Sequence, residues 1–414
     1  MADDVPENAP GPLNGIRVLD FGRVLAAPHS GRMLCDLGAE VIKIEAPAGD
    51  MTRSSSPRIN SMATYFTQQN AGKRCVSIDL AKRDGVEIVK RLAVESDIVL
   101  ENFRVGVMAK YGIGYEDLRQ LNPRLIFCSI TGFGATGPWK GRRAYAQVAQ
   151  AESGYGWTTS TRIGRQHLSE PMSHGDVYTG LQATVAILAA LHHRDVTGVG
   201  QHIDVSMMET MLMVNEHLHA ELMDPADVHA DEQIISYQPH DYLMVTTQDG
   251  RTASLPGHPA ENGTFGSFCR AFERPDLLSD PRFATTALRL QHYDELYALL
   301  DAAASKFATY DDLDRALDAI GLACGEIRTP AEIATTEWAQ ARGAIATISD
   351  RGDGTLRIPN SPWHFSNAWT GVRGEARYRG EDNRAVLSEV GGYTDEELER
   401  LESEGVLSSR LPRR

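Results

Sequence analysis

The sequence has no run of 18 or more apolar residues, which argues against a membrane-spanning helix. Its five cysteines, Cys35, Cys75, Cys128, Cys269 and Cys324, are odd in number, scattered and never arranged as CxxC. Such usage fits buried thiols in a reduced compartment better than a disulfide frame or a zinc site. Positive charge is scarce: 41 Lys and Arg against 56 Asp and Glu leave a net charge of −15. Polyphosphate backbones are held by excess cations, so this balance argues against general nucleic-acid binding, whereas a small anion needs only a local basic patch. The familiar catalytic signatures are missing as well. There is no GxSxG, no HExxH and no GxxxxGK[ST]. After the first apolar strand the chain reads Phe21-Gly22-Arg23-Val24-Leu25-Ala26-Ala27-Pro28, without the GxGxxG that lets backbone approach a pyrophosphate. A nicotinamide or flavin enzyme is therefore a poor reading, although Glu45 stands where a ribose-binding acid would.

At 414 residues the chain is long for one compact core, and two domains are expected. MADDVPENAPGPLNG is acidic and proline-rich, without the basic start and apolar middle of a signal peptide. It reads as a disordered lead-in over residues 1–12, and the cytoplasm is the expected location. Residues 13–224 carry alternating strand and helix patterns: GIRVLDF (15–21), AAPHSGRMLCDLG (26–38), AEVIKIE (39–45), RDGVEIVKRLAVES (83–96), DIVLENF (97–103) and RLIFCSIT (124–131). That alternation predicts a parallel sheet with helices on both faces. A glycine-rich loop follows at 132–147, then a long apolar helix after Asp176, then a strand and helix in GQHIDVSMMETML (200–212). From about 225 the texture changes, and residues 225–342 are assigned to a smaller domain. The segment 343–414 is assigned to a return to the large one.

Asp176 opens the apolar stretch DVYTGLQATVAILAALHH. On pattern alone it is a helix cap first and a catalyst second, because aspartate is among the commonest N-caps. His192 and His193 read as cations closing that helix, where they complement its dipole. His217 and His219, two apart, face different ways on a helix and read as exposed or hydrogen-bonded residues.

Four segments nevertheless stand in a familiar order and spacing: PLNGIRVLDFGRVLAAPHSGRMLCDLGAEVIKIEAPAGDMTR (12–53), NAGKRCVSIDL (70–80), SDIVLENFRVGVMAKYGIGYEDLRQLNPRLIFCSITGFGATGP (96–138) and GDVYTGLQATVAILAALHHRDVTGVGQHIDVSMMET (175–210). Together they resemble the family III CoA transferases of the formyl-CoA and carnitine type, a superfamily that includes α-methylacyl-CoA racemases. The resemblance implies an α/β fold: a Rossmann-like large domain with a parallel sheet, a smaller α+β domain, and two subunits interlocked as rings in an obligate homodimer. It implies that Asp176 attacks an acyl-CoA thioester, giving an aspartyl anhydride, then an aspartyl-CoA thioester, and finally acyl-CoA of a second acid. No permanently bound cofactor or metal is implied; coenzyme A and carboxylic acids are the partners. Placed at a helix start, Asp176 is expected to stay ionised by nearby amides, with Gly175 leaving room for the thioester and Gly132, Gly134 and Gly137 offering amides to an oxyanion.

The same resemblance places Val24, Leu25 and Ala26 on the pantetheine arm, with Leu80 counted among the CoA contacts. Asn102 and Phe103, at the end of the third strand, lie along CoA; Lys110 and Arg143 face its phosphates; Tyr145 stands near the thioester. For Lys110 a solvated helix lysine is an equal reading. The chain departs from the formyl-CoA pattern at Leu25 (glutamine there), Ala46 (arginine) and Ala146 (an acid), and its glycine-run loop is reduced to LPGHPAENG (255–263). Leu25 suggests a more apolar acyl group. Two rival readings remain. A racemase needs two acid–base groups about the α-carbon, and where racemases carry Gly-His-Asp this chain has Ala144-Tyr145-Ala146. A non-catalytic CoA-binding homologue is the other.

Overall fold

The computed structural model describes residues 9–162, 170–216, 218–223 and 242–411. Residues 1–8 of the expected lead-in, the 224/225 boundary and His217 lie outside them. The chain divides into a large unit, 1–157, 168–216 and 337–414, and a small unit, 158–167 and 217–336.

The large unit is built on six strands: β1 (Arg17–Asp20), β2 (Glu40–Glu45), β3 (Arg74–Ser77), β4 (Ile98–Glu101), β5 (Ile126–Thr131) and β6 (His202–Ser206). All pair in parallel, in the order β3-β2-β1-β4-β5-β6. Strands β1 to β5 are buried nearly throughout because both faces are covered, β6 being the more exposed edge, and the alternation of side chains sorts their apolar residues into two layers. Leu19, Ile42, Ile44, Val76, Val99 and Phe127 face one layer. Val18, Val41, Ile98, Leu100, Ile126 and Ile130 face the other. Helices α1 (Ala26–Asp36) and α4 (His174–Thr197) cover the second layer through Leu34, Ala183, Ile187 and Ala190. Helix α2 (Arg83–Val94) covers the first with Ile88 and Leu92, joined by Val386, Leu387, Leu398 and Leu401 from the carboxyl-terminal segment. Helix α3 (Ala146–Glu152) precedes α4.

Strand β3 was not among the strands expected from sequence, and β4 is thus the fourth strand and not the third. Helix α4 runs one turn beyond His193 to Thr197, where Gly198 takes a left-handed φ of 79°. The cation in its last turn is Arg194, bonded to Asp97 at 2.9 Å.

The small unit has a three-stranded antiparallel sheet in which Thr252–Leu255 pairs with Leu243–Thr246 and Gly325–Glu326. Its core gathers Phe265, Phe268, Phe272, Phe283, Leu296, Leu300, Leu313 and Leu317. The segment 255–263 belongs to this unit and is tied down within it. Arg289 Nε donates to the Ala260 carbonyl at 2.6 Å, and His258 Nδ1 accepts from the Ala260 amide at 3.1 Å.

Candidate active site

Sheet order decides where a ligand goes. From β1 the chain moves outward in one direction through β2 and β3 and returns on the other side through β4, β5 and β6, so the loops after β1 and β4 diverge. The crevice between such loops, at the carboxyl ends of the strands, is where open α/β sheets bind ligands. A cleft of about 760 Å³ opens there, lined from the β1 loop by Arg23 and Val24, from the β4 loop by Asn102, Phe103 and Arg104, and from the β5 loop by Gly132, Phe133, Lys140, Arg142 and Arg143.

Two side chains set the shape of this cleft. Asn102 is an amide clamp: its Oδ1 accepts from the Arg23 amide at 2.8 Å, and its Nδ2 donates to the Arg23 carbonyl at 2.9 Å. It therefore ties the two diverging loops together, whatever else it touches. Val24 is held at φ 64°, a left-handed conformation that a β-branched residue resists. Backbone strain of this kind persists only where surrounding contacts over-determine it.

Asp176 lines the same cleft, as do Leu80 and Tyr145, the latter 62% exposed. The cap of α4 is Ser173, and Asp176 is the third residue of its first turn. The expected capping role is therefore corrected, and so is the expected charge balance. Burial pushes the Asp176 carboxyl up to about 6, against the downward pull of a hydrogen bond from the Ala26 amide. Desolvation outweighs the amide. Gly175 does not leave a void for a thioester, because a Cβ there would stand 3.2 Å from the Ala146 Cα and 3.3 Å from its carbonyl; glycine lets α4 pack against α3. The next helical turn repeats the device, with Gly180 approaching the Ala26 carbonyl so closely that a Cβ would lie 2.6 Å away. These contacts lock α4 to α1 and α3 and thereby fix Asp176.

Of the residues expected from sequence, Val24, Leu80, Asn102, Phe103, Arg143, Tyr145 and Asp176 come together in the cleft. Three do not line it. Leu25 and Ala26 are buried, Ala26 supplying the amide to Asp176, and Lys110 is exposed on the short helix Val107–Lys110. Leu25 thus gives the cleft no apolar wall. The Gly134 amide is already taken by Thr131 Oγ1 at 2.9 Å, while Gly132 lines the cleft. His174 lies against Tyr178, ring centroids 5.3 Å apart, with Tyr155 edge-on at 6.5 Å.

Four cations of the cleft, Arg23, Arg104, Lys140 and Arg142, were not singled out from sequence. Arg142 pairs with Glu152 and sits 4.7 Å from the rings of both Phe133 and Trp139. Among the described residues no ion pair engages Arg23, Arg104, Lys140 or Arg143. Unpaired cations converging on one crevice of a chain with net charge −15 make a local site for a polyanion. The run Lys140-Gly141-Arg142-Arg143 was a legible signal for part of it.

Three comparisons bear on this site. A profile described as CoA-transferase family III matches residues 13–383. A succinate–glutarate CoA-transferase of Agrobacterium fabrum is 34% identical over 94% of this chain and 97% of its own length. A formyl-CoA:oxalate CoA-transferase of Streptomyces avermitilis is 31% identical over 95% of this chain and 99% of its own. Among solved structures, a CAIB/BAIF family protein from Brucella suis superposes with a TM-score of 0.78 at 33% identity, over 92% of this chain and all of that one.

Proposed function

Because the chain belongs to CoA-transferase family III and is a CoA-transferase, we propose that it passes CoA between two carboxylic acids through covalent intermediates on Asp176. The observation that carries this reading is a desolvated carboxylate in the same crevice as four unpaired cations. With its acid held at about 6, Asp176 is roughly nine-tenths ionised at pH 7, yet more basic and less hydrated than a surface aspartate. Its carboxylate attacks the thioester carbonyl of the donor, and collapse of the tetrahedral intermediate expels CoA thiolate and leaves a mixed anhydride. The thiolate attacks the Asp176 carbonyl of that anhydride, releasing the donor acid and forming an aspartyl-CoA thioester. An acceptor carboxylate then displaces the thiolate from the Asp176 carbonyl. The thiolate attacks the acceptor's carbonyl in the new anhydride, which frees acceptor acyl-CoA and restores the Asp176 carboxylate. No oxidant, metal or permanent cofactor is consumed. Arg23, Arg104, Lys140 and Arg143 bind the CoA phosphates, Val24, Leu80, Asn102 and Phe103 line its path, and Tyr145 stands beside the thioester.

The succinate–glutarate and formyl-CoA:oxalate relatives support small dicarboxylates as the acids exchanged. The functional unit is an interlocked homodimer. Support comes from α4, which leaves Leu181, Val185 and Leu188 at 42%, 54% and 37% exposure, one apolar stripe at helical spacing awaiting cover. Gel filtration at the mass of a single 45.4 kDa chain would overturn the dimer. Incubation with acyl-CoA and hydroxylamine or borohydride, followed by intact-mass spectrometry, tests the chemistry. On the wild type the trapped product is an aspartyl hydroxamate with hydroxylamine or the reduced alcohol with borohydride, with CoA released, while untrapped protein carries the CoA thioester itself; all three are absent from Asp176→Asn. Substantial turnover by that variant refutes Asp176 as nucleophile. Deuterium exchange at the α-carbon without CoA transfer points to a racemase, and CoA binding without adduct or turnover points to a non-catalytic homologue.

A further inference from the structure

Beneath the β1 loop lie two lysines with no side-chain exposure, Lys43 and Lys73, and the reaction scheme uses neither. Lys73 Nζ has three acceptors: Asp20 Oδ2 at 2.7 Å, the Pro28 carbonyl at 2.8 Å and Asn70 Oδ1 at 3.0 Å. Lys43 Nζ donates to the Gly22 carbonyl at 2.7 Å and pairs with Asp50 Oδ2 at 3.3 Å. Asp50 in turn accepts from the Val24 amide at 3.2 Å and from the Thr52 amide and hydroxyl at 3.0 and 2.8 Å. The Gly22 amide goes to Asp20 Oδ1 at 2.7 Å, and Asn102 takes both ends of Arg23. Side chains thus grip the backbone of every residue from Gly22 to Val24.

A buried ion pair is a poor device for stability, since desolvating both charges offsets most of their attraction. What this one does is directional. It holds the turn containing Val24 in its left-handed conformation, and two residues later the chain presents the Ala26 amide to Asp176. We propose that Lys43 and Asp50 are positioning residues for the transfer reaction, fixing the Gly22–Val24 turn so that the Ala26 amide meets the Asp176 carboxylate. The proposal rests on Asp176 being the nucleophile. Without the grip, the turn relaxes, the Ala26 amide drifts, and Asp176 retains burial without its one compensating donor.

The titratable groups packed about Asp176 are Tyr65, on the helix Thr64–Asn70, and His29 of α1, beside Gly180; the cleft it lines adds Arg23, Asp79, Arg104, Tyr111, Lys140, Arg142, Arg143 and Tyr145. Burial and the charge of Asp176 raise the Tyr65 hydroxyl, and burial lowers the His29 ring, so both are neutral at pH 7. The test is the pH profile of adduct formation in three full-length proteins: wild type, Lys43→Met/Asp50→Ala, and Lys43→Met/Asp50→Asn. Removing both charges leaves no orphaned ion, and the thermal midpoint of each variant reports its folding. In the alanine double variant the acid limb moves up by about one pH unit, the size of one hydrogen bond to a charged group, so the rate falls about tenfold at pH 5 and about twofold at pH 7. The asparagine variant regains an acceptor for the Val24 amide and recovers part of both. A rate that falls with the thermal midpoint while the limb stays in place makes the pair merely structural and overturns the proposal. Adduct formation at the wild-type rate and limb overturns it too. Should Asp176→Asn remain active, the nucleophile assignment itself fails, independently of any Asp50 result.

Discussion

Replacing Asp176 by asparagine is expected to stabilise the protein while ending its turnover. The sign follows from linkage. The Asp176 carboxyl is raised from 3.8 to about 6 in the folded chain, so between those values the native state holds a proton that the unfolded state has released. Stability is therefore lost as pH rises from about 4 to 6, and the full penalty is present at pH 7. A displacement of roughly two units at 1.36 kcal/mol each gives a penalty of about 3 kcal/mol. Asparagine is nearly isosteric, keeps an acceptor for the Ala26 amide and carries no charge, so it escapes that penalty. Some of the gain is offset by the amide's own buried N–H groups, and a net gain of about 1–3 kcal/mol is expected. Urea unfolding of wild type and Asp176→Asn, without CoA, at pH 7.5 and pH 4, is the assay. The variant should be the more stable protein at pH 7.5, and the gap should close at pH 4, where the wild-type carboxyl is protonated. A gap that does not change with pH, or a wild type more stable at neutral pH, refutes the account of a desolvated carboxylate.

Two further outcomes follow from the cleft and its supports. Arg104→Ala and Arg143→Ala should each raise the KM for acyl-CoA about tenfold and weaken its salt dependence, whereas Lys110→Ala, outside the cleft, leaves both unchanged in steady-state assays at varied ionic strength. Gly180→Ala should destabilise the fold by about 2 kcal/mol or more despite alanine's better helix propensity, because its Cβ would stand 2.6 Å from the Ala26 carbonyl; thermal unfolding would show the loss, and a rise in midpoint contradicts that packing.

How much was legible depended on whether neighbours in sequence or in space decide the feature. The apolar runs of β1, β2, β4 and β5 announced a doubly covered parallel sheet because almost every position is buried. Strand β3 escaped notice because Lys73-Arg74-Cys75-Val76-Ser77 begins with two cations. Lys73 is polar in the sequence and wholly buried in the fold, made tolerable by Asp20, which is 53 residues away. Lys43 hides in AEVIKIE for the same reason. Asp176 was found through motif register, but its acid strength was misjudged: the pattern suggested a cap, while the determining terms are burial and one amide from another helix. Arg23 and Arg104 could not be paired by spacing, since the sheet's switch point alone brings their loops together. Asn102 was placed along the ligand path, and its bond to Arg23 likewise belongs to the folded chain.

The discontinuity of the large unit has a consequence for synthesis. The layer formed by Leu19, Ile42, Val99 and Phe127 is completed by Val386, Leu387, Leu398, Leu401 and Leu407. All six strands of the sheet, and α2 that covers part of this face, have been translated once Ser206 leaves the ribosome, yet the rest of the face stays uncovered until the last helix emerges. At about 5–20 residues per second the interval is on the order of 10–40 s. For that time the nascent chain exposes the part of this layer that the carboxyl-terminal helices cover in the finished fold. A truncation that removes Asp395–Ser403 leaves the active-site residues intact in sequence and takes Leu398 and Leu401 from the layer that closes the sheet beneath them.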